Sequence, residues 1–115
     1  LGNMDAAFET DPFGRLICTL THGETHATVT SSDKGAAAGS LLQAIEDLLA
    51  TGAGECFWQE AGGDYRWMLK RDGDTVNMVV LWSTGTLTGW EHLFWGQGQA
   101  ETFASDFRRK VSAIG

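Results

Sequence analysis

The sequence contains no apolar run that approaches the roughly 20 residues needed to cross a bilayer. It also lacks a basic, apolar leader at its start, a Pro- or Gly-rich linker, an internal repeat and a low-complexity segment. Together with a length of 115 residues, these absences predict one globular domain, residues 1–115, without a membrane span. We expect residues 1–3 to be a cloning remnant ahead of Met4, and residues 1–12 to be loosely ordered.

Basic residues are scarce. Lys and Arg together number 8 against 15 Asp and Glu, which gives a formal net charge of −7. Because proteins bind phosphate backbones mainly through Lys and Arg, this balance predicts that the chain has no nucleic-acid partner. An acidic surface instead favours association with a basic protein.

Cysteines are also few, since Cys18 and Cys56 are the only two. They lie far apart in the sequence and in different predicted strands. We therefore expect reduced, buried thiols in a cytoplasmic protein, with a disulfide between them as the alternative.

Alternating apolar residues and turn signals predict six strands and two helices. The strands are expected at residues 15–20, 26–30, 55–59, 65–70, 75–82 and 89–95. Asp72-Gly73 is a strong hairpin signal, because a type I′ turn needs positive φ at both central residues. Consecutive strands joined by tight turns predict an α+β fold, with an antiparallel sheet of about six strands and both helices packed on one face. The face of the sheet opposite the helices is then partly exposed to solvent.

Each helix is predicted from its apolar spacing and its ends. The first is capped by Ser32 or Asp33 and stops at residues 51–54. Its apolar face consists of Leu41, Leu42, Ile45, Leu48 and Leu49. The second follows a glycine-rich segment, residues 96–99, which we interpret as a loop. Its apolar positions are Ala100, Phe103, Ala104, Phe107, Val111 and Ile114.

Five tryptophans are unusual in so short a chain. Alternation along the strands sends aromatic side chains to both faces of the sheet, although a sheet covered on one side needs only one apolar face. The sequence therefore predicts partly exposed rings that contact a partner. Our candidate partner-binding residues are Trp58, Trp95, Glu91 and Tyr65. The other interpretation, which we favour for the tryptophans as a set, is that they fill a wide gap between the sheet and the helices and cover its far side.

Cys18, His22 and His26 are the only residues whose types and closeness suggest a metal ligand set. Zinc requires thiolates and imidazoles that converge tetrahedrally, and the spacing here matches no standard site. We favour a core cysteine with two surface histidines and expect no metal and no cofactor. No nucleophile, base and oxyanion donor assemble in the sequence, so catalysis is not indicated.

The order of elements resembles that of small bacterial domains, including the WapI-type immunity proteins that accompany contact-dependent or secreted toxins. The matching features are the helix at residues 41–49, Trp67-Met68-Leu69 before Asp72-Gly73, the strand at 76–82 and the helix after Phe94-Trp95. Residues 96–99 replace the acidic and aromatic entry that the family has before its last helix. The resemblance implies a protein that acts by binding, so no catalytic residue is transferred.

Three hypotheses for the function follow. The leading one is a protein-binding or regulatory domain, of the immunity type, that covers a basic partner with an acidic, aromatic surface. The second is an enzyme or small-ligand protein with a pocket lined by Trp and Met. The third is a homo-oligomer, such as a homodimer, that buries the open sheet face against a copy of itself.

Overall fold

A computed structural model describes residues 4–85 and 89–114, which form nine elements of secondary structure. In chain order these are β1 (Asp5–Thr10), β2 (Leu16–His22), β3 (Thr25–Ser31), α1 (Lys34–Thr51), β4 (Ala53–Glu60), β5 (Gly63–Asp72), β6 (Thr75–Ser83), β7 (Glu91–Gln99) and α2 (Ala100–Ser112). Neither helix is both long enough and apolar enough to span a bilayer.

The strands form two antiparallel sheets, one of three strands in the order β1-β2-β3 and one of four in the order β4-β5-β6-β7. The predicted α+β class, the antiparallel pairing and the two helices packed against the sheet are confirmed. The described residues contain seven strands rather than about six, and these strands divide between two sheets. The division was not anticipated.

The first strand contradicts the expectation for the start of the sequence. Residues 5–10 were expected to be loosely ordered, but they form β1 and pair with β2 from Asp5 opposite Thr21 to Thr10 opposite Leu16. The segment was missed because it contains Ala, Asp and Glu, which are depleted in strands. Lys110 of α2 supplies a tertiary contact that this local pattern does not reveal, since its Nζ donates to the Ala6 carbonyl at 2.7 Å.

The ends of α1 follow the predicted capping chemistry. Asp33 is the N-cap, and its Oδ1 accepts a hydrogen bond from the Ala36 amide at 3.0 Å. Gly52 ends the helix with φ of 90°, a left-handed conformation that glycine adopts without a steric penalty. The predicted hairpin between β5 and β6 also forms, but Asp72 pairs with Thr75, so the central residues of the turn are Gly73 and Asp74. Only Gly73 has a positive φ, of 60°, so the predicted type I′ turn with Asp72 and Gly73 at its centre is wrong.

The end of β7 contradicts a second expectation from the sequence. Residues 96–99 were interpreted as a loop, but they continue β7, with Gly96 opposite Met78 and Gly98 opposite Val76. A Cβ at position 96 would lie 2.9 Å from the Met4 sulfur and 2.8 Å from the Phe94 ring. Gly96 is therefore explained by close packing within the strand and not by a turn.

One face of each sheet and one face of each helix meet in a common core. We call the core-facing side of the four-stranded sheet its inner face and the opposite side its outer face. The inner face contributes Cys56, Trp58, Trp67, Leu69, Val76, Met78, Val80 and Phe94 to the core, all of them buried. Leu41, Ile45 and Leu48 of α1 and Phe103, Phe107 and Val111 of α2 pack with them.

The helix α1 lies unusually close to β4. A Cβ added at Gly54 would be 2.0 Å from the carbonyl oxygen of Ala44, an atom of the helix backbone. Only glycine fits at position 54 without moving the helix, so this residue sets the distance between α1 and the inner face.

Replacing Gly54 by alanine is expected to lower the free energy of unfolding by about 1–3 kcal/mol, because the new methyl group pushes α1 away from β4. Gly39→Ala is the matched control, since Gly39 is exposed within α1 and an added Cβ meets nothing within 4 Å. The control should gain about 0.5–1 kcal/mol, because alanine is the better helix former. Urea denaturation of the three proteins measures both changes, and a Gly54→Ala variant as stable as the wild type would contradict the close approach.

A polar contact joins the two sheets at the end of β4. The Glu60 carboxylate accepts hydrogen bonds from Arg15 and from the Thr30 hydroxyl, both at 2.6 Å. Burial alone would raise the pKa of Glu60, but these two hydrogen bonds and the Arg15 charge hold it below its usual value of 4.5. The ionised form of Glu60 therefore stabilises the fold.

Near pH 7, Glu60→Gln is expected to lower the free energy of unfolding by about 1 kcal/mol, because the ion pair is lost and Arg15 is half exposed. A lowered pKa means that this stabilisation is complete above the pKa of the unfolded chain and is lost as the pH falls through the folded-state value. The difference between the two proteins should therefore shrink towards zero in acid. Denaturation at several pH values tests this, with Glu24→Gln in the exposed β2–β3 turn as the control, and a difference independent of pH would refute it.

Candidate protein-binding face

The outer face of the four-stranded sheet carries large apolar side chains in two cross-strand rows. The strand register aligns Glu55, Met68, Val79 and Trp95 in one row, and Phe57, Arg66, Leu81 and His92 in the next. Trp90, just before β7, also reaches this face, because its ring lies 6.1 Å from that of Phe57.

We call the apolar members of this surface the outer-face patch: Phe57, Met68, Val79, Leu81, Trp90 and Trp95. Phe57 is 46% exposed, Trp90 and Trp95 are each 42% exposed, and Met68 is 39% exposed. Val79 and Leu81 are half-buried between them. Contiguous exposed apolar surface of this kind marks an interaction site more often than scattered apolar residues do.

Polar and charged groups lie within the patch and at its borders. Arg66 forms an ion pair with Glu55 across the β4–β5 pairing, at 2.5 Å. Its guanidinium also lies over the rings of Phe57 and Trp90, at 5.7 and 5.6 Å from their centroids. At the other end, the ring of His22 meets that of Trp95 edge to face, with centroids 5.1 Å apart. Aromatic, Met and Arg side chains in one surface are the composition of protein interfaces.

A shallow groove of about 820 Å³ opens between the patch and the end of α1. Asp47 and Thr51 of the helix form one wall, and Met68 and Val79 line the apolar floor. The groove extends the contact surface beyond the sheet itself.

The predicted partner-binding residues divide between the two faces. Trp95 is exposed on the outer face, as expected. Trp58 was expected to be exposed, and that expectation is wrong: it is 1% exposed on the inner face, with its ring 4.9 Å from that of Trp67. Alternation correctly paired Trp58 with Cys56, but it does not say which side of the strand the helices cover.

Tyr65 and Glu91 belong to the same cross-strand row as Trp58. Tyr65 is opposite both Trp58 and Trp82, and Glu91 is opposite Trp82. Tyr65 is half-buried against the Trp82 ring, with centroids 4.6 Å apart, while Glu91 is exposed. The structure therefore does not bring these two residues together with Trp95.

Sequence reasoning missed most of the exposed patch, namely Phe57, Met68 and Trp90. A signal for two of them was present, since Phe57 and Met68 each alternate with residues that face inward. Once Trp58 and Trp67 are known to be buried, their sequence neighbours must point outward.

The suspected metal ligands do not converge. Cys18 is buried and points into the core, whereas His22 is the last residue of β2 and His26 is exposed opposite Thr21 on the other side of that sheet. Across residues 4–85 and 89–114, no group of three His, Cys, Asp or Glu is placed to hold a metal ion. The small-ligand hypothesis predicted a pocket lined by Trp and Met. Trp58, Trp67 and Met78 line no such pocket, because all three are buried in the core.

Both cysteines are free and buried. Burial raises the pKa of the Cys18 thiol far above its usual value. Burial also raises the pKa of Cys56, to about 12, although a hydrogen bond with Ser40 partly opposes the shift. Neither thiol is ionised or accessible in the folded protein.

Native protein at about pH 8 is therefore expected not to react with Ellman's reagent, and two thiols per chain should react after unfolding in guanidinium chloride. The absorbance of the released thiolate measures both. Rapid reaction of one thiol in the native protein would contradict the burial of that residue.

No protein family, curated protein or solved structure matches this chain.

Proposed function

We propose that this protein is a cytoplasmic protein-binding domain, of the immunity type suggested by its order of elements, and that it docks a basic protein partner on the outer-face patch. The observation that carries the proposal is the set of four large apolar side chains, each between 39% and 46% exposed, on the uncovered face of the sheet. Tryptophan and arginine dominate binding energy in protein interfaces, and Trp90, Trp95 and Arg66 all lie on this face, with Arg66 in contact with Trp90.

Charge distinguishes a basic partner from a second copy of the chain. The net charge of −7 attracts a basic protein and speeds its encounter, whereas two copies carry like charges and repel. We therefore commit to a basic partner and treat self-association as an alternative outcome of the experiment.

The size of the face is compatible with such a complex. Four strands about 4.8 Å apart and eight residues long span roughly 500 Å² in projection. A standard protein complex buries about 800 Å² on each partner. The groove beside α1 and the half-buried border of the patch supply additional contact surface.

Trp95→Ser is expected to weaken the complex about tenfold or more, because a large exposed aromatic contact of the patch is lost. The matched control is Phe13→Ser, since Phe13 is 89% exposed in the β1–β2 turn, outside the patch. This control should leave the affinity unchanged. The partner would be captured from the native host at low salt, identified, purified and titrated by calorimetry against the wild type and both variants.

Two results would overturn the proposal. One is that Trp95→Ser and Phe13→Ser change the affinity for the partner equally. The partner would then contact a surface other than the outer-face patch. The other is a concentrated protein that sediments as a dimer and becomes a monomer on Trp95→Ser, which would make a second copy the occupant. Added salt should also weaken the complex, since the charge attraction is screened.

A further inference from the structure

Arg66 is held by three side chains of the outer face. The rings of Phe57 and Trp90 lie 6.1 Å apart at 49° to each other, and the guanidinium is within 6 Å of both centroids. Glu55 accepts the hydrogen bond of Arg66 Nε at 2.6 Å and also faces a terminal guanidinium nitrogen at 2.5 Å. Both nitrogens converge on one carboxylate oxygen, Glu55 Oε2, so cation–π contacts on two rings combine with a charge-assisted contact to a single oxygen.

Two aromatic rings and a carboxylate are the groups that recognise an arginine side chain. The planar guanidinium stacks on aromatic faces and matches a carboxylate with two parallel N–H donors. In the structure, the chain's own arginine occupies this arrangement.

The ion pair between Arg66 and Glu55 is partly exposed to solvent. The side chain of Arg66 is 28% exposed and that of Glu55 is 41% exposed. Ion pairs exposed to this degree contribute little net stability, so an incoming guanidinium could replace Arg66 at small cost. Asp64 lies two residues before Arg66 on the same side of β5, and it offers the displaced side chain another carboxylate.

We propose that Phe57, Trp90 and Glu55 form an arginine clamp, that Arg66 is its internal occupant, and that an arginine of the docked basic partner displaces Arg66. The inference rests on the proposed function and specifies it, because it identifies the partner's contact as an arginine side chain. The acidic net charge of the chain favours the same chemistry.

Emptying the clamp tests this inference without knowledge of the partner. The probe is the peptide acetyl-Gly-Arg-Gly-amide, titrated into labelled protein while the Trp90 indole and Phe57 ring signals are followed by NMR. In the wild type, Arg66 competes with the peptide for the clamp, and because it belongs to the same chain its effective concentration is in the millimolar range. Arg66→Gln removes this competitor and should bind the peptide roughly fivefold or more tightly than the wild type. The lysine analogue should bind less well, because an ammonium lacks the planar fork.

The matched control is Arg71→Gln. It removes the same charge from the same strand, but the Arg71 Nε donates to the Gly73 carbonyl at 2.9 Å, outside the clamp. Its affinity for the peptide should stay within about twofold of the wild type. Adding Phe57→Ala to Arg66→Gln should abolish the gain.

An equal gain for Arg66→Gln and Arg71→Gln would overturn the clamp, since loss of positive charge alone would then explain it. Unchanged Trp90 and Phe57 signals would also overturn it. If Arg66→Gln fails to fold, Arg66→Lys serves instead, and it should also bind the arginine peptide more tightly than the wild type.

The peptide titration and the partner titration fail independently. Loss of partner affinity on Trp95→Ser without any peptide gain on Arg66→Gln would leave the binding face intact and remove the clamp. A peptide gain without a Trp95 effect would leave Phe57, Trp90 and Glu55 as a site that binds arginine and would remove the docking of a basic protein through Trp95.

Discussion

The contact between Trp58 and Trp67 on the inner face of the four-stranded sheet determines on which side the other residues of β4 and β5 lie. The two rings are neighbours across the β4–β5 pairing and both are buried in the core. Because side chains alternate along a strand, burying this pair forces Phe57 and Met68 to the opposite face. The exposed patch is thus a direct consequence of the way the core is packed. A register shift of one residue in either strand would exchange the two faces and destroy both.

Close packing explains why Gly54 and Gly96 lie within strands of this sheet and not in turns. The backbone of α1 passes directly over Gly54 at Ala44, and Gly96 leaves room for Met4 and Phe94. Large rings at some positions of the inner face therefore require the smallest residue at others. This pairing of large and small side chains gives the interior its close packing, and it fixes the distance between the sheet and the helices.

Much of this fold was accessible from the sequence, and the failures have a common physical origin. The helix capped by Asp33, the hairpin between β5 and β6 and the α+β class depend on local patterns, and local patterns are what a sequence displays. The strand Asp5–Thr10, the burial of Trp58 and the extended conformation of Gly96 depend on tertiary contacts. Alternation separated the outer-face residues of β4 and β5 from the inner ones correctly, but only the position of α1 determines which set is covered. In β7, alternation failed, because an irregularity in the β6–β7 register places His92 on the outer face with Trp95 and Glu91 on the other side. For these reasons three of the four predicted partner-binding residues, Trp58, Tyr65 and Glu91, lie away from the outer face.

The outer face exposes more apolar surface than strand formation requires. Threonine favours the strand as tryptophan does, and charged residues at exposed positions discourage association between sheets. Trp95 and Met68 instead expose apolar surface that adds to the risk of aggregation. A chain with a net charge of −7 can carry such surface because like charges keep its copies apart. The same negative charge favours the basic partner that we propose, so one property of the sequence bears both on the apolar face and on the choice of that partner.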